Sequence, residues 1–424
     1  MKVKLSSIRE GSGADMRIVL VSDWHSERMG YSDNYMPKAL ASLGHEVHLI
    51  TSNAQCYFNS PTYKDVFEKF VGPGIVECGV KKVDGYTLHR LPFKEIQGRI
   101  HIQGLLSNLR KLKPDVVQAG EITSLSTWEV AVAEPFLGYK LFVECHWHAS
   151  VFPITTRVSG MKQRLARMQQ QLYWAIYNAT IGRAVAAVSE HCYPISEDSA
   201  EIALRYFGFP EHKISVRSLG VETDLFQPAT TLEHQHRRST LRKSLGYSDS
   251  DIVCIYTGRF AEEKGPHFLA EAVGLLRSQG FPFKGLFMGD GPAEYVSKIR
   301  EVEGCKVHPF VVTQDLAQYY QAADIGVWPK QESTSQLDAI ACGLPIILSD
   351  RVQVTERVDG NGLLYMEGNF SSLADRLREL IDPGLRQKMG IVGVEKVQKS
   401  FSWKDLALRY VRDYQSAIQE ARGA

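Results

Sequence analysis

The chain has 424 residues, with 49 Lys and Arg against 48 Asp and Glu and a formal net charge of +1. That length exceeds one ordinary core and points to two domains. The balanced charge removes any general case for nucleic-acid binding, and no apolar run approaches the roughly 20 residues that a membrane-spanning helix needs.

Residues 1–15, "MKVKLSSIREGSGAD", lack the apolar segment of a signal peptide and read as a disordered lead-in. From Met16 onward short apolar runs alternate with helical patterns. "MRIVLVS" (16–22) reads as a buried strand, "NYMPKALASLG" (34–44) as a helix, and "HEVHLITS" (45–52) and "YTLHRLP" (86–92) as strands. "RIHIQGLLSNLRKLK" (99–113) reads as a helix, followed by "PDVVQAG", while "KLFVECH" (140–146) and "AVAAVS" (184–189) repeat the theme of apolar strands ending in polar residues. Strands apolar on both faces and spaced by helices indicate a doubly wound parallel sheet, whose ligands bind beyond the strands' carboxyl ends. The pattern pauses at 226–251, polar and containing Pro228, with His234 and His236 expected to be solvated there. It restarts with "IVCIYTG" (252–258), "HFLAEAVGLLRSQG" (267–280), "FKGLFMGDG" (283–291), "KVHPF" (306–310), "LAQYYQAAD" (316–324), "IGVWP" (325–329) and "PIILSD" (345–350). The expectation is α/β: two Rossmann-like domains, 16–228 and 249–400, joined by a linker at 229–248, with terminal helices from 401 to 424 crossing back to the first domain.

Cys56, Cys78, Cys145, Cys192, Cys254, Cys305 and Cys342 are odd in number, scattered, and form no C-x-x-C pair. That suits reduced thiols in a cytoplasm better than a disulfide or zinc framework. Asp249-Ser250-Asp251 spells the D-x-D that can hold a metal, but it precedes the second domain's first strand and reads as a solvated turn. His146 and His148 have strand spacing but no evident third ligand, so no zinc site is expected. No G-x-S-x-G nucleophile elbow occurs.

Three loops of the second domain carry chemistry. "YTGRFAEEKG" sets Arg259 and Lys264 after a strand, between Gly258 and Gly265; two cations there suit a diphosphate whose charge grows as it leaves. "MGDGPAEY" (288–295) is a second strand-following loop, in which Gly289 and Gly291 let backbone approach a ligand. "WPKQESTSQLDAIACGLP" (328–345) opens a helix behind Ser333, Thr334 and Ser335, with Asp338 in its first turn. Those hydroxyls either cap the helix or share its positive end with an anion. Three loops on one sheet edge favour a phosphate-bearing ligand.

"GRFAEEKG", "GDGP", "YYQAADIGVWP" and "LDAIACGLPII" resemble successive motifs of retaining glycosyltransferase family 4, of the two-Rossmann (GT-B) type. "GHEVHLITS", "PDVVQAG" and "AVSEHCYPI…HKISVRSLGVETDLFQP" resemble its first domain and the crossing into the linker. The resemblance covers roughly residues 16–415. It implies metal-free transfer of a sugar, with retention, from a UDP- or GDP-linked donor to a saccharide or lipid-linked acceptor in cell-surface polysaccharide or glycoconjugate synthesis. By position it implies Arg259 and Lys264 on the diphosphate, Ser335 and Gln336 near the phosphates and sugar, and Asp338 on the ribose. Phe310 and Val311 would hold the base through their backbone, Gly30 would face the diphosphate, and His146 would stand beside the donor sugar. The family has two glutamates separated by seven residues; counting back from Asp338 lands on Lys330, while Glu332 is two residues late. Either Glu332 serves, or Lys330 meets an acidic or amino-modified sugar. With no carboxylate nucleophile evident, front-face attack is expected, a donor phosphate oxygen taking the acceptor's proton.

The acceptor side says less. "RIHIQGLLSNLRKLK" and "SGMKQRLARMQQQLYWAIY" (159–177) are amphipathic: each either packs on the sheet with cations outward or rests on an anionic membrane surface. A nucleotide-sugar 2-epimerase of the same architecture and a noncatalytic sugar-nucleotide-binding partner are the other readings.

Overall fold

The computed structural model describes residues 15–61, 63–149, 152 and 161–423. In the first half of the chain the strands are β1 (Arg17–Ser22), β2 (Glu46–Ser52), β3 (Gly79–Val83), β4 (Tyr86–Leu91), β5 (Phe93–Ile96), β6 (Arg99–Ile102), β7 (Val116–Ala119), β8 (Lys140–Cys145) and β9 (Ser189–Pro194). Seven of them form one sheet in the order β3-β4-β2-β1-β7-β8-β9, parallel except for β3, while β5 and β6 make a separate antiparallel hairpin. The second half holds β10 (Ile252–Thr257), β11 (Phe283–Met288), β12 (Cys305–His308), β13 (Ile325–Trp328), β14 (Ile346–Ser349) and β15 (Gly362–Tyr365). They form an all-parallel sheet in the order β12-β11-β10-β13-β14-β15. The four central residues of β1 and all six of β10 are buried, because helices cover both faces. Each strand order reverses at the sheet's centre, beside β1 and beside β10, which is where doubly wound sheets open a crevice for a ligand.

The helix Trp403–Gly423 packs on the first sheet, although the strands of the second intervene in sequence. Trp403, Leu406, Tyr410 and Tyr414 share a core with Ile18, Leu20, Val47, Phe142 and Tyr193. The Tyr193 hydroxyl donates to Asp413 at 3.0 Å, Arg217 pairs with Asp413 at 2.8 Å, and the Tyr414 hydroxyl donates to Gln118 of β7.

Three segments differ from the sequence expectation. Residues 99–113 do not form one helix: Arg99–Ile102 is strand β6, and the chain turns at Gly104, with φ +83°, into the helix Leu105–Leu112. Residues 184–189 are not a strand; Ala-rich 183–188 is helical, as alanine's intrinsic preference favours, and β9 follows with the more polar sequence "SEHCYP". Residues 229–248, expected as a linker, are largely the helix Leu232–Ser244, capped by the Thr231 hydroxyl accepting from the His234 amide at 3.1 Å. Arg238 and Arg242 on that helix both reach Asp324, at 2.7 and 3.0 Å, fastening it to the second sheet.

Candidate functional site

Two connected cavities open at the carboxyl ends of the central strands. The smaller, about 260 Å³, lies between the two halves of the chain. Gly30 lines it from the first half, while Gly258, Arg259, Lys264, Gly289, Phe310, Val311, Ser333, Thr334, Ser335 and Asp338 line it from the second. Each enters for a local reason. At the end of β10 the buried Tyr256 hydroxyl donates to the Arg259 carbonyl at 2.8 Å, and Phe260 is buried, so the loop is pinned while Arg259 stays exposed. Gly289 at the end of β11 cannot be replaced: a Cβ there would stand 1.9 Å from the Gly258 carbonyl oxygen. Gly30, with φ +68°, lets its loop close on Thr313, whose methyl and hydroxyl a Cβ would meet at 2.6 Å.

Arg259 and Lys264 face the cavity as the loop cations of the sequence reading. Lys264 is half-buried and donates to the Glu332 carbonyl at 3.3 Å. Burial and the neighbouring Arg259 lower its pKa, while Glu332 and Glu263 oppose them. At the third loop, capping proves only part of the story. The Ser333 hydroxyl accepts from the Ser335 amide at 3.3 Å, whereas Thr334, at the cap position, makes no side-chain cap bond. Asp338 stands on the cavity wall, and its carboxylate makes no hydrogen bond among the described residues. Burial pushes it up to about 8, opposed by Arg357. Such a group can take ligand hydroxyls.

Six residues of the sequence reading lie elsewhere. Gln336 is fully buried and accepts from Arg357 at 3.0 Å, so it braces the loop from behind. Gly291 packs under Phe260, where a Cβ would be 2.3 Å from the Phe260 carbonyl oxygen. The Glu332 carboxylate accepts from the Gln353 amide at 3.0 Å, outside the lining. His146 belongs to the other cavity. Lys330 is turned away from both: it donates to the Glu262 carbonyl at 2.9 Å and sits over the Phe268 ring at 5.2 Å. Asp251, of the D-x-D, accepts from the Ser248 amide at 2.7 Å and closes a turn remote from these loops.

The larger cavity, about 1020 Å³, belongs to the first sheet. Tyr31 and Tyr57, their hydroxyls 3.0 Å apart, line both cavities and join them. Its floor is a set of groups that sequence reading passed over: Asp23 after β1, Glu121 after β7, and Glu144 within β8. His146 pairs with Glu144 at 2.8 Å and its amide donates to Glu121 at 3.1 Å. Burial disfavours a charged His146, but Glu144 and Glu121 outweigh it and raise its pKa. Burial pushes the Asp23 carboxyl up to about 7, with the Ser126 hydrogen bond opposing and Glu121 and Glu129 adding. Burial raises Glu121 as well. Trp24, Trp147 and Trp174 stand on the walls. Carboxylates beside indole faces suit a polyhydroxylated ligand. The available signal was the polar residue closing each apolar strand, "VSD", "AGE" and "VECH". His148 bonds Asp198 at 3.3 Å, a structural pair. Among the described residues no group of three or more His, Cys, Asp or Glu is placed to hold a metal ion.

Residues 251–383 match the family described as Glycosyl transferases group 1, and residues 35–225 match Glycosyltransferase Family 4. The D-inositol 3-phosphate glycosyltransferase of Xylanimonas cellulosilytica is 26% identical over 251 residues, covering 55% of this chain and 59% of that protein. The chain spans about three fifths of the length of the curated relatives that it matches. Among solved structures, sucrose-phosphate synthase from Thermosynechococcus elongatus superposes with a TM-score of 0.70 at 17% identity, covering 96% of this chain and 100% of that one. Anabaena HepE in complex with UDP superposes with a TM-score of 0.68 at 15% identity, covering 95% and 100%. At these identities the likeness is one of fold.

Proposed function

The chain belongs to glycosyltransferase family 4 of the group 1 glycosyl transferases, and from that membership we propose that it transfers a sugar from a nucleoside-diphosphate donor to a saccharide or lipid-linked acceptor, retaining anomeric configuration and using no metal. The observation that carries the reading is the smaller cavity, where Arg259, Lys264 and the Asp338 carboxyl converge between the ends of two parallel sheets. The cations would stabilise charge growing on the departing diphosphate, Asp338 would take ribose hydroxyls, and the backbone at Phe310 and Val311 would hold the base, uracil or guanine. With its carboxylate held by Gln353, Glu332 would reach donor-sugar hydroxyls only by exchanging that bond. The second-half carboxyl groups lining that cavity are Asp290 and Asp338; with Asp338 given to the ribose, the reading takes attack from the front face, the acceptor's proton passing to a donor phosphate oxygen. The larger cavity is then the acceptor side, with Asp23, Glu121 and His146 on acceptor hydroxyls. A reducing, cytoplasmic compartment and a role in cell-surface polysaccharide or glycoconjugate synthesis go with this reading; seven unpaired cysteines support the former.

One observation favours a second reading. Carboxyl groups with raised pKa on the larger cavity, Asp23 and Glu121, are what a nucleotide-sugar 2-epimerase would use for acid–base work. Incubation with a panel of nucleotide sugars separates the two. A transferase releases nucleoside diphosphate faster when acceptor is present, whereas an epimerase converts the sugar with little net release. A thermal shift without turnover of any donor would sink both in favour of a binding partner.

A further inference from the structure

The helix Met161–Tyr177 leaves the first sheet's core as an arm. Of the described side chains from 161 to 173, only that of Arg167 is half-buried; the rest are exposed. Its far end is anchored: Trp174 and Tyr177 are buried against Phe152 and Phe207. Met161, Leu165, Met168, Leu172 and Ile176 are 56–87% exposed. At about 100° per residue these five fall within an arc of about 80°, on the side opposite Trp174 and Tyr177. Lys162 and Arg164 lie roughly 80° to either side of that stripe, where long cationic side chains can reach past an apolar face. Packing on the sheet with cations outward, the alternative left open by sequence, is therefore not what the apolar stripe does.

The charge around the helix is one-sided. Residues 145–189 contain five Lys or Arg and no Asp or Glu, in a chain whose overall formal charge is only +1. A second copy of the chain would bring like cations together across the stripe, and residues 1–15, with Lys2, Lys4 and Arg9 against Glu10 and Asp15, offer no net negative charge to match them. An anionic lipid surface complements both the stripe and its flanks. We propose that this helix docks the protein on an anionic bilayer with the stripe at the acyl boundary. Trp174, on the opposite side of the same helix, lines the larger cavity, so docking holds that cavity about one helix diameter, roughly 10 Å, from the membrane surface. A lipid-linked acceptor could present its saccharide there while its chain stays in the bilayer; this consequence rests on the acceptor-side reading above, whereas docking itself requires neither donor nor turnover.

Co-sedimentation of the full chain with vesicles, in the absence of any sugar nucleotide, tests it. Phosphatidylcholine vesicles are compared with the same vesicles containing about a quarter phosphatidylglycerol. The wild-type chain should partition at least about tenfold more strongly onto the anionic vesicles, with the preference shrinking in high salt. Leu165→Gln combined with Met168→Gln and Leu172→Gln should lower that partition by about tenfold or more, and Lys162→Gln with Arg164→Gln should remove the anionic preference. All five positions are exposed, and an unchanged melting temperature certifies each variant's fold. Equal partition of wild type and triple variant overturns the proposal, as does a wild-type chain that ignores anionic vesicles. A wild-type dimer that the triple variant dissolves, without vesicle binding, overturns it in favour of a second copy. Diphosphate release with a water-soluble acceptor is measured separately, so failure of docking and failure of the transferase reading are distinguishable.

Discussion

Arg259 and Lys264 occupy one short loop but different surroundings, Arg259 exposed beside Glu263 and Lys264 half-buried beneath the Glu332 carbonyl. Replacing either by Ala should remove about 2–4 kcal/mol of transition-state stabilisation, read as a fall in kcat/KM, while urea melts stay close to wild type. Near wild-type turnover in either variant would displace the donor diphosphate from this loop. The motif register is settled by three changes. Glu332→Gln should depress turnover with nucleoside diphosphate affinity kept; Asp338→Asn should weaken the nucleotide itself; Lys330→Ala, whose ammonium serves the Glu262 carbonyl, should change little. A crippled Lys330→Ala beside a benign Glu332→Gln would reverse that assignment and point to a charged donor sugar. Asp23 carries a pH signature. An ordinary Asp ionises near about 4, so above that pH the unfolded carboxyl has lost the proton that the folded one keeps until about 7. The unfolded state then binds fewer protons, and stability falls with pH across that window. Asp23→Asn should flatten the fall and be more stable relative to wild type at pH 8 than at pH 4.5, by on the order of 2–4 kcal/mol in urea titrations. Most of the loops that line the smaller cavity were legible because glycines, cations and strand ends coincide there. Asp23 and Glu121 were not, because a lone carboxylate after a strand looks the same whether it meets solvent or a cavity.

Elements whose apolar period was regular, such as β1, β10 and the helix Pro266–Ser278, stand where the pattern put them. Those read wrongly went astray for different reasons. The helix Leu232–Ser244 buries Arg242, which donates to the carbonyls of Ala322, Ser248 and Asp251 as well as to Asp324. Its sequence looks like solvent-facing linker because its attachment is polar. Removing one member of a buried ion pair strands the other, so Arg242→Ala or Asp324→Asn should cost about 3–5 kcal/mol, measured by urea denaturation. A loss below ~1 kcal/mol would mean that the helix is held by something else. At 99–113 the failure was of another kind, since β6 and the following helix together mimic one long amphipathic run and only Gly104 marks the break.

The two sheets face one another across the donor cavity, with Phe310 of the second half set edge-on to Phe70 of the first at 5.1 Å. Under the transferase proposal, closure of this kind would shield a reacting donor from water and make the two halves together the catalytic unit. Turnover should survive a chelator, and Asp249→Ala with Asp251→Ala should leave kcat/KM near wild type; abolition by both would restore the D-x-D as a metal site. The architecture was legible as a whole because two halves repeat one strand–helix rhythm, whereas the joint depends on contacts between residues hundreds of positions apart. The return of Trp403–Gly423 to the first sheet has a consequence in time rather than space. About 200 residues separate the end of β9 from Trp403. At a synthesis rate of about 5–20 residues per second, the face around Ile18, Phe142 and Tyr193 waits some 10–40 s for its cover. During that interval the nascent first domain presents an unfinished apolar wall, so the ribosome-bound chain is a natural client for a holding chaperone until Tyr410 and Tyr414 arrive.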